Sequence, residues 1–215
     1  SHTGAITGAD DVLEAAFRRS GVLRVQSLSE LFGMAEVLGK QSRPNGPRLA
    51  IVTNAGGPGV LATDALIRGG GALSPLADAT LAELDRLLPP HWSHANPVDV
   101  LGDASPERFV AAAQVVAEDP NCDGILTILT PQAMTDPTRT AAGLGKLNTA
   151  HRTVLASVMG GDDVAEAIRT LQNAGVPVFG FPDAAANAFC HLWRNRLNIA
   201  AMFETPLPIH EPSDR

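Results

Sequence analysis

From residue 49 onward the chain alternates short apolar runs with amphipathic stretches. The runs at 49–53, 72–76, 125–129, 154–158 and 178–181 are aliphatic or β-branched and bounded by Gly, Pro, Asn or Asp, so each predicts a strand. The run at 125–129 has no polar face, as in a strand buried on both sides. Helical spacing predicts helices over 59–68, 80–88, 106–118 and 137–149, another opened by GGDD and ending at Gly175, and a last one from Pro182 toward Ala201. Strands alternating with helices of this length imply βαβ crossovers and a parallel sheet covered on both faces. The fold class is therefore α/β, a doubly wound parallel sheet of flavodoxin-like type. Ligands of such folds sit beyond the carboxyl ends of the strands, which directs attention to the loops at Asn54, Thr130 and Gly160.

The first forty residues read differently. Val12, Leu13, Ala16 and Phe17 fall at helical spacing over 9–20, with acids in front and Arg18 and Arg19 behind. Residues 22–25 predict a strand, and Ser27 or Ser29 can cap a helix to about 38 that packs Leu28, Leu31, Phe32, Ala35 and Leu38. This is a partial βαβα unit whose first strand lies at or before Ser1. With Ser1 and His2 at the start and no initiator Met, the chain reads as cut from something longer, a vector-derived Ser-His being the other reading. The stretch GKQSRPNGPR at 39–48 is polar and rich in Gly and Pro, as expected of a linker, and the tail from Thr205 reads likewise.

Sixteen basic against 23 acidic residues give a formal net charge of −7, without a basic run to track a phosphate backbone, so no nucleic-acid partner is expected. No membrane span or signal peptide is legible, and the expected location is cytoplasmic. Cys122 and Cys190 are isolated and read as small buried hydrophobes. His91, His94, His151, His191 and His210 share no ligand spacing, so no metal site is expected.

The stretch IVTNAGGPGVLATD, residues 51–64, is where chemistry concentrates. Gly57, Gly59 and Ala62 nominally satisfy a dinucleotide fingerprint. Its acidic partner would have to be Asp78, beyond Ser74 and Pro75 and away from a clean strand end, and no Gly-Lys-Ser/Thr follows to make a P-loop. What remains is an anion site: glycines that let a ligand approach the backbone, free N–H groups on a first helical turn and a favourable dipole. Asn54, Ala55, Gly56, Gly57 and Gly59 are the candidate phosphate-binding residues, with Pro58 suited to a first turn that needs no N–H there. A tight turn with glycines for steric reasons is the alternative. In TPQAMTDP, Thr130, Gln132 and Thr135 either bind a carboxylate or phosphate or cap the next helix. In ANPVDVLGD, Asn96 and Asp99 flank Pro97, as substrate-proximal groups or as residues that structure a loop.

Together these stretches resemble the NDP-forming acyl-CoA synthetases, the relatives of succinyl-CoA synthetase. SHTGAITGADDVLEAAFRRSGVLRV is similar to the end of the family's ligase domain, and LAIVTNAGGPGVLATDAL, NPVDVLGDAS and ILTPQAMTDP to its second flavodoxin-like domain. The resemblance implies four segments: residues 1–40 as the carboxyl-terminal part of a ligase-CoA domain, a linker at 41–48, a second succinyl-CoA synthetase-like domain at 49–204, and a tail at 205–215. It implies that His2 is the catalytic residue that carries a phosphoryl group as phosphohistidine, stabilised by the Asn54–Gly59 loop. It also implies that the CoA-binding and ATP-grasp domains, with the sites for CoA, ATP or ADP and Mg, lie outside these residues. They would be the chain's partners, together with a small carboxylic acid or acyl phosphate. The fragment is expected to bind no cofactor itself and to be inert alone, and a homodimer is one way to complete the half-domain. A second family use of these domains is a CoA-sensing regulatory module of bacterial protein lysine acetyltransferases.

Overall fold

The computed structural model describes residues 10–132, 134–149 and 152–203. Helices α1 (Asp10–Arg19) and α2 (Leu28–Lys40) precede six strands, β1 (Arg48–Thr53), β2 (Ala72–Leu73), β3 (Val98–Asp99), β4 (Gly124–Leu129), β5 (Thr153–Val158) and β6 (Val178–Phe179). Between and after them run α3 (Gly56–Arg68), α4 (Asp78–Leu87), α5 (Pro106–Ala117), α6 (Pro137–Leu144), α7 (Ala165–Asn173), which follows a 3-10 turn at Gly161–Val164, and α8 (Pro182–Met202). The described residues fall into two compact units, Val25–Trp193 and a smaller one made of residues up to Arg24 and from Arg194 on.

In the larger unit every strand pair is parallel, in the order β2-β1-β4-β5-β6, with β3 pairing on β1. Setting β3 aside, that is the doubly wound flavodoxin-like order expected from the alternation of the sequence. All six residues of β4 and all six of β5 are buried, because helices cover both faces. Successive side chains point to opposite faces. Ala50, Val52, Ile125 and Leu129 join one cluster with Leu84, Phe109, Val116 and Leu171. On the other face, a Cβ on Gly124 would come within 2.5 Å of Phe189 of α8, so the ring rests directly on the β4 backbone. Cys122 and Cys190 are both buried, as read from their isolation; burial pushes the Cys122 thiol up to about 11.

Three features depart from the pattern reading. Residues 98–99, placed in a loop, form β3, in register with Val52 and Thr53 at the carboxyl end of β1. Two residues bounded by Pro97 are too short to stand out as a strand. Helix α3 begins at Gly56, so the Gly-Gly-Pro sequence is its first turn rather than a loop ahead of it. Helix α2 turns the other way from expectation. Ser27 caps it by accepting from the Glu30 N–H at 3.1 Å, as foreseen, but its buried residues are Met34 and Val37. Leu28, Leu31, Phe32 and Leu38 are exposed, Leu28 and Phe32 by more than two thirds, and Ala35 is exposed with them. The narrow inward stripe works because Gly33 meets the Phe179 ring, which a Cβ would approach to 3.2 Å. Gln41 then ties the helix end to the sheet, accepting from Val154 N–H at 2.8 Å and donating to Gly175 O at 2.9 Å.

In the smaller unit Arg24 ion-pairs with Asp10 and Glu14, and α1 buries none of its residues. Gly21 has φ +66° and lies where a Cβ would be 2.8 Å from Met202 Sδ, so a side chain there would be both strained and crowded. Residues 22–25 form no ladder among the described residues; a strand exists only with a neighbour to take its backbone groups. The strand expected at or before Ser1 and the tail at 205–215 lie outside the described residues.

Candidate functional site

Three loops meet beyond the carboxyl ends of β1, β3 and β4. Their hub is Asn54, which is 1% exposed. Its Oδ1 accepts from the Thr130 N–H at 2.9 Å and the Thr130 hydroxyl at 3.1 Å. Its Nδ2 donates to Thr130 O at 2.8 Å and Thr135 Oγ1 at 3.3 Å, and its carbonyl accepts from Gln132 Nε2 at 3.0 Å. Every polar atom of the Asn54 side chain is thus bound within the protein. Of the residues read from the sequence as ligands, Asn54, Thr130 and Gln132 are brought together, but as a clamp between the β1–α3 and β4–α6 loops.

What faces outward is the start of α3. Gly56 and Gly57 are exposed and Gly59 is buried. The N-cap position is Ala55, with no side-chain cap, whereas α5 and α6 are capped by Ser105 and Asp136, at 3.3 and 3.0 Å. The first N–H groups of a helix have no partner within it. Here the third helical residue is Pro58, which has none to offer, and Gly59 N–H reaches Ala55 O at 3.4 Å. Among the described residues the Gly56 and Gly57 N–H groups have no hydrogen-bond partner, and the helix dipole lies behind them, an arrangement suited to an anion. Thr53 fixes their approach: its hydroxyl donates to Ala55 O at 2.8 Å and accepts from Ala55 N–H at 3.0 Å.

Asp99 stands beside this turn, with Oδ2 at 3.4 Å from where a Cβ on Gly56 would sit. Its Oδ1 accepts from the Leu101 N–H at 2.9 Å, in a turn that holds Leu101 at φ +72°. Gly102 admits the Gln132 side chain, which a Cβ there would meet at 2.4 Å. Asn96 is not part of the site. It works inside the sheet, accepting from Ile51 N–H at 2.9 Å and donating to Leu49 O and Ser74 O at 3.0 Å each. The pattern reading missed Thr53 and Gly102; the signal was a hydroxylated residue at the end of a strand for Thr53 and a glycine in the loop after β3 for Gly102. His2 lies outside the described residues. Among the described residues no group of three or more His, Cys, Asp or Glu is arranged to hold a metal ion.

The loop that delivers Asp99 is braced by a histidine. His94 Nε2 lies 2.9 Å from Pro90 O and its Nδ1 2.9 Å from Asp85 Oδ1. Both partners are acceptors, so the doubly protonated ring satisfies both. The Pro90 carbonyl first, then the Asp85 carboxylate, outweigh desolvation and raise the His94 pKa above its ordinary 6.5. A raised folded pKa means a contribution to stability that is complete below 6.5 and lost as pH rises through the folded value. An NMR titration is expected to give a His94 midpoint above 6.5 that moves back toward it in Asp85→Asn; a parent midpoint at or below 6.5 contradicts the bracing geometry.

The chain matches two family models: the Ligase-CoA domain over residues 49–192 and the succinyl-CoA ligase like flavodoxin domain over residues 1–38. It is 41% identical over 194 residues to acetate–CoA ligase [ADP-forming] I of Archaeoglobus fulgidus, covering 90% of this chain and 27% of that protein. It is 36% identical over 204 residues to the alpha subunit of acetate–CoA ligase [ADP-forming] II of Pyrococcus furiosus, covering 93% and 44%. A solved structure of dinucleotide forming acetyl-coenzyme A synthetase 1 of Ca. Korarchaeum cryptofilum, in complex with phosphate and ADP, superposes with a TM-score of 0.86 at 28% identity, covering 94% of this chain and 44% of that one. The chain therefore spans between about a quarter and less than half of the relatives it matches.

Proposed function

The chain belongs to the Ligase-CoA domain family, and from that premise we propose that it is the phosphoryl-handling part of an ADP-forming acyl-CoA synthetase. The overall reaction is acyl-CoA, phosphate and ADP to carboxylic acid, CoA and ATP, reversibly. A phosphate oxygen attacks the thioester carbonyl, the C–S bond breaks, and CoA leaves as the thiol. An imidazole nitrogen of His2 attacks the phosphorus of the acyl phosphate, and the P–O bond to the acyl group breaks to release carboxylate. A terminal oxygen of ADP then attacks the same phosphorus and the N–P bond breaks, giving ATP and free imidazole.

The observation that carries this reading is the uncapped start of α3 with its Gly56 and Gly57 N–H groups. Neutral donors fixed by the fold stabilise the charge of a phosphoryl group without reorganising during transfer. Their role is to hold and orient the phosphoryl oxygens while phosphorus changes partner. The Asn54 clamp keeps the turn in place. CoA, ADP and Mg belong, on this reading, to the CoA-binding and ATP-grasp domains, where the metal supplies charge neutralisation for the nucleotide phosphates. The acid is small, as in the acetate ligases, and the compartment is the cytoplasm, where CoA thioesters and nucleotides are available. Among the described residues no helix is long and apolar enough to cross a membrane. The relatives named above are ligases or synthetases, which favours this function over a regulatory module of an acetyltransferase.

The test is turnover by the whole protein: ATP formed from acetyl-CoA, phosphate and ADP. His2→Ala is expected to lower the rate by about 10³-fold or more, as loss of a covalent nucleophile does. A parent protein that forms no ATP with any short acyl-CoA, or a His2→Ala variant that turns over like the parent, overturns the assignment.

A further inference from the structure

Helix α2 is apolar on two opposite faces. At about 100° per residue, Gly33, Met34 and Val37 fall on one side, the side seated against Phe179. Leu28, Leu31, Phe32, Ala35 and Leu38 fall on the other and are exposed. Single exposed apolar residues are ordinary. A stripe of them along a 13-residue helix, with Leu28 at 74% and Phe32 at 72% exposure, is the kind of continuous patch that marks an interaction surface. A helix apolar on both sides is built to be buried on both.

The way α2 is held fixes the outward direction of this stripe. At its start the Gln26 N–H donates to Glu30 Oε2 at 2.6 Å while the Glu30 N–H donates to Ser27 Oγ, a reciprocal cap. At its end Gln41 bonds to Val154 and Gly175, and the Thr153 hydroxyl donates to Ser42 O at 2.7 Å. Rolling the helix to bury its wider stripe would expose Met34 and Val37 and leave the Val154 N–H without its partner. A docking face held in place before its partner arrives binds with little ordering cost.

The family matches divide at this same helix. The succinyl-CoA ligase like flavodoxin domain takes in residues 1–38, the outward stripe included, and the Ligase-CoA domain begins at residue 49. By sequence α2 goes with the first domain, and by packing it is seated on the second. A flavodoxin-like domain is a parallel sheet with helices on both faces, whereas the described residues before Gln41 form two helices and no strand. The match to the Pyrococcus furiosus alpha subunit takes in 93% of this chain and only 44% of that subunit, so a relative carries α2 together with more than as much polypeptide again. We propose that in the whole protein the stripe of Leu28, Leu31, Phe32, Ala35 and Leu38 is covered by the sheet of that first domain, supplied by the same polypeptide, so that α2 serves two hydrophobic cores. The aliphatic face of a buried parallel sheet is the chemistry that fits an uncharged stripe. The inference rests on the domain assignment behind the proposed function and not on its phosphoryl chemistry.

Thiol labelling decides it. Cys122 and Cys190 are buried, so Leu28→Cys and Phe32→Cys each add one accessible thiol to the 215-residue chain. Each is expected to react with a maleimide there as an exposed thiol does. In the whole protein, read by peptide mass spectrometry, each should react about 100-fold more slowly or less, because labelling then waits on local opening. Equal rates in the two proteins overturn the proposal. Protection already present in the 215-residue chain overturns it as well; where dilution removes that protection, the stripe belongs to a second copy of the chain. Hydrogen exchange over residues 28–38 makes the same comparison on the unsubstituted proteins, so a variant that fails to fold leaves the test intact. It should be about tenfold or more slower in the whole protein, and equal exchange counts against the proposal. Labelling does not depend on turnover, so a whole protein that forms no ATP removes the proposed reaction and leaves this result readable.

Discussion

Gly57→Asp is expected to leave the chain folded and as stable as the parent, or more so, while lowering phosphoenzyme formation in the whole protein by about 10²–10³-fold, the size of effect that follows when preorganised donors are blocked from their oxyanion. The stability half follows from position. Gly57 is exposed, and a Cβ there meets nothing within 4 Å. An acid in a first helical turn adds roughly 0.3–1 kcal/mol through the dipole, and replacing glycine lowers the backbone entropy lost on folding. The functional half has the opposite sign because the same carboxylate stands where the phosphoryl oxygens are meant to bind. Gly59→Ala is the contrasting case. Gly59 is buried, and its Cβ would lie 3.2 Å from Thr53 Cγ2 and 3.6 Å from Pro97 Cβ, so a cost of about 1–2 kcal/mol in stability is expected from overpacking. Urea melts and phosphoenzyme yields on both variants separate the two roles. If Gly57→Asp forms phosphoenzyme like the parent, the α3 start is a structural turn.

Asn54→Ala should be among the most destabilising single changes in the chain, by about 2–4 kcal/mol. It removes an acceptor for the Thr130 amide and hydroxyl and a donor to Thr130 O and Thr135 Oγ1, all in a site where Asn54 is 1% exposed. Buried groups left without partners cost about 1–3 kcal/mol each, only partly relieved by water entering the gap. Asn54→Asp keeps the shape but points a second oxygen at the Thr130 carbonyl, so it should fail nearly as badly. A shift in urea midpoint equivalent to less than about 1 kcal/mol for both variants would contradict the clamp and return Asn54 to the role of a ligand.

The contrast between these two residues shows what the sequence makes legible. Glycines after a strand announce a turn into a helix locally, although the helix takes in Gly56 and Gly57 instead of starting at Gly59. The strands β4 and β5 are equally plain, because apolar runs of that length with no polar face have few alternatives. A polar side chain is ambiguous. Asn54 reads as a ligand because its partners, Thr130 and Thr135, are 76 and 81 residues away. Asn96 is similar, tied to Leu49, Ile51 and Ser74 across the sheet. Helix α2 illustrates a different limit. It has two apolar stripes, and periodicity selects the wider one, whereas packing used Gly33, Met34 and Val37, where a missing side chain permits close approach to Phe179.

In the proposed reaction a phosphoryl group passes through a histidine of this chain, His2. The most direct measurement is incubation of the whole protein with γ-phosphate-labelled ATP, followed by denaturation and exposure of the label to acid and to base. A phosphohistidine account predicts a label that is lost in acid, kept in base, absent from His2→Ala, and much reduced in Gly57→Asp. A label on His2→Ala equal to that on the parent, or one that survives acid and is lost in base, would contradict it.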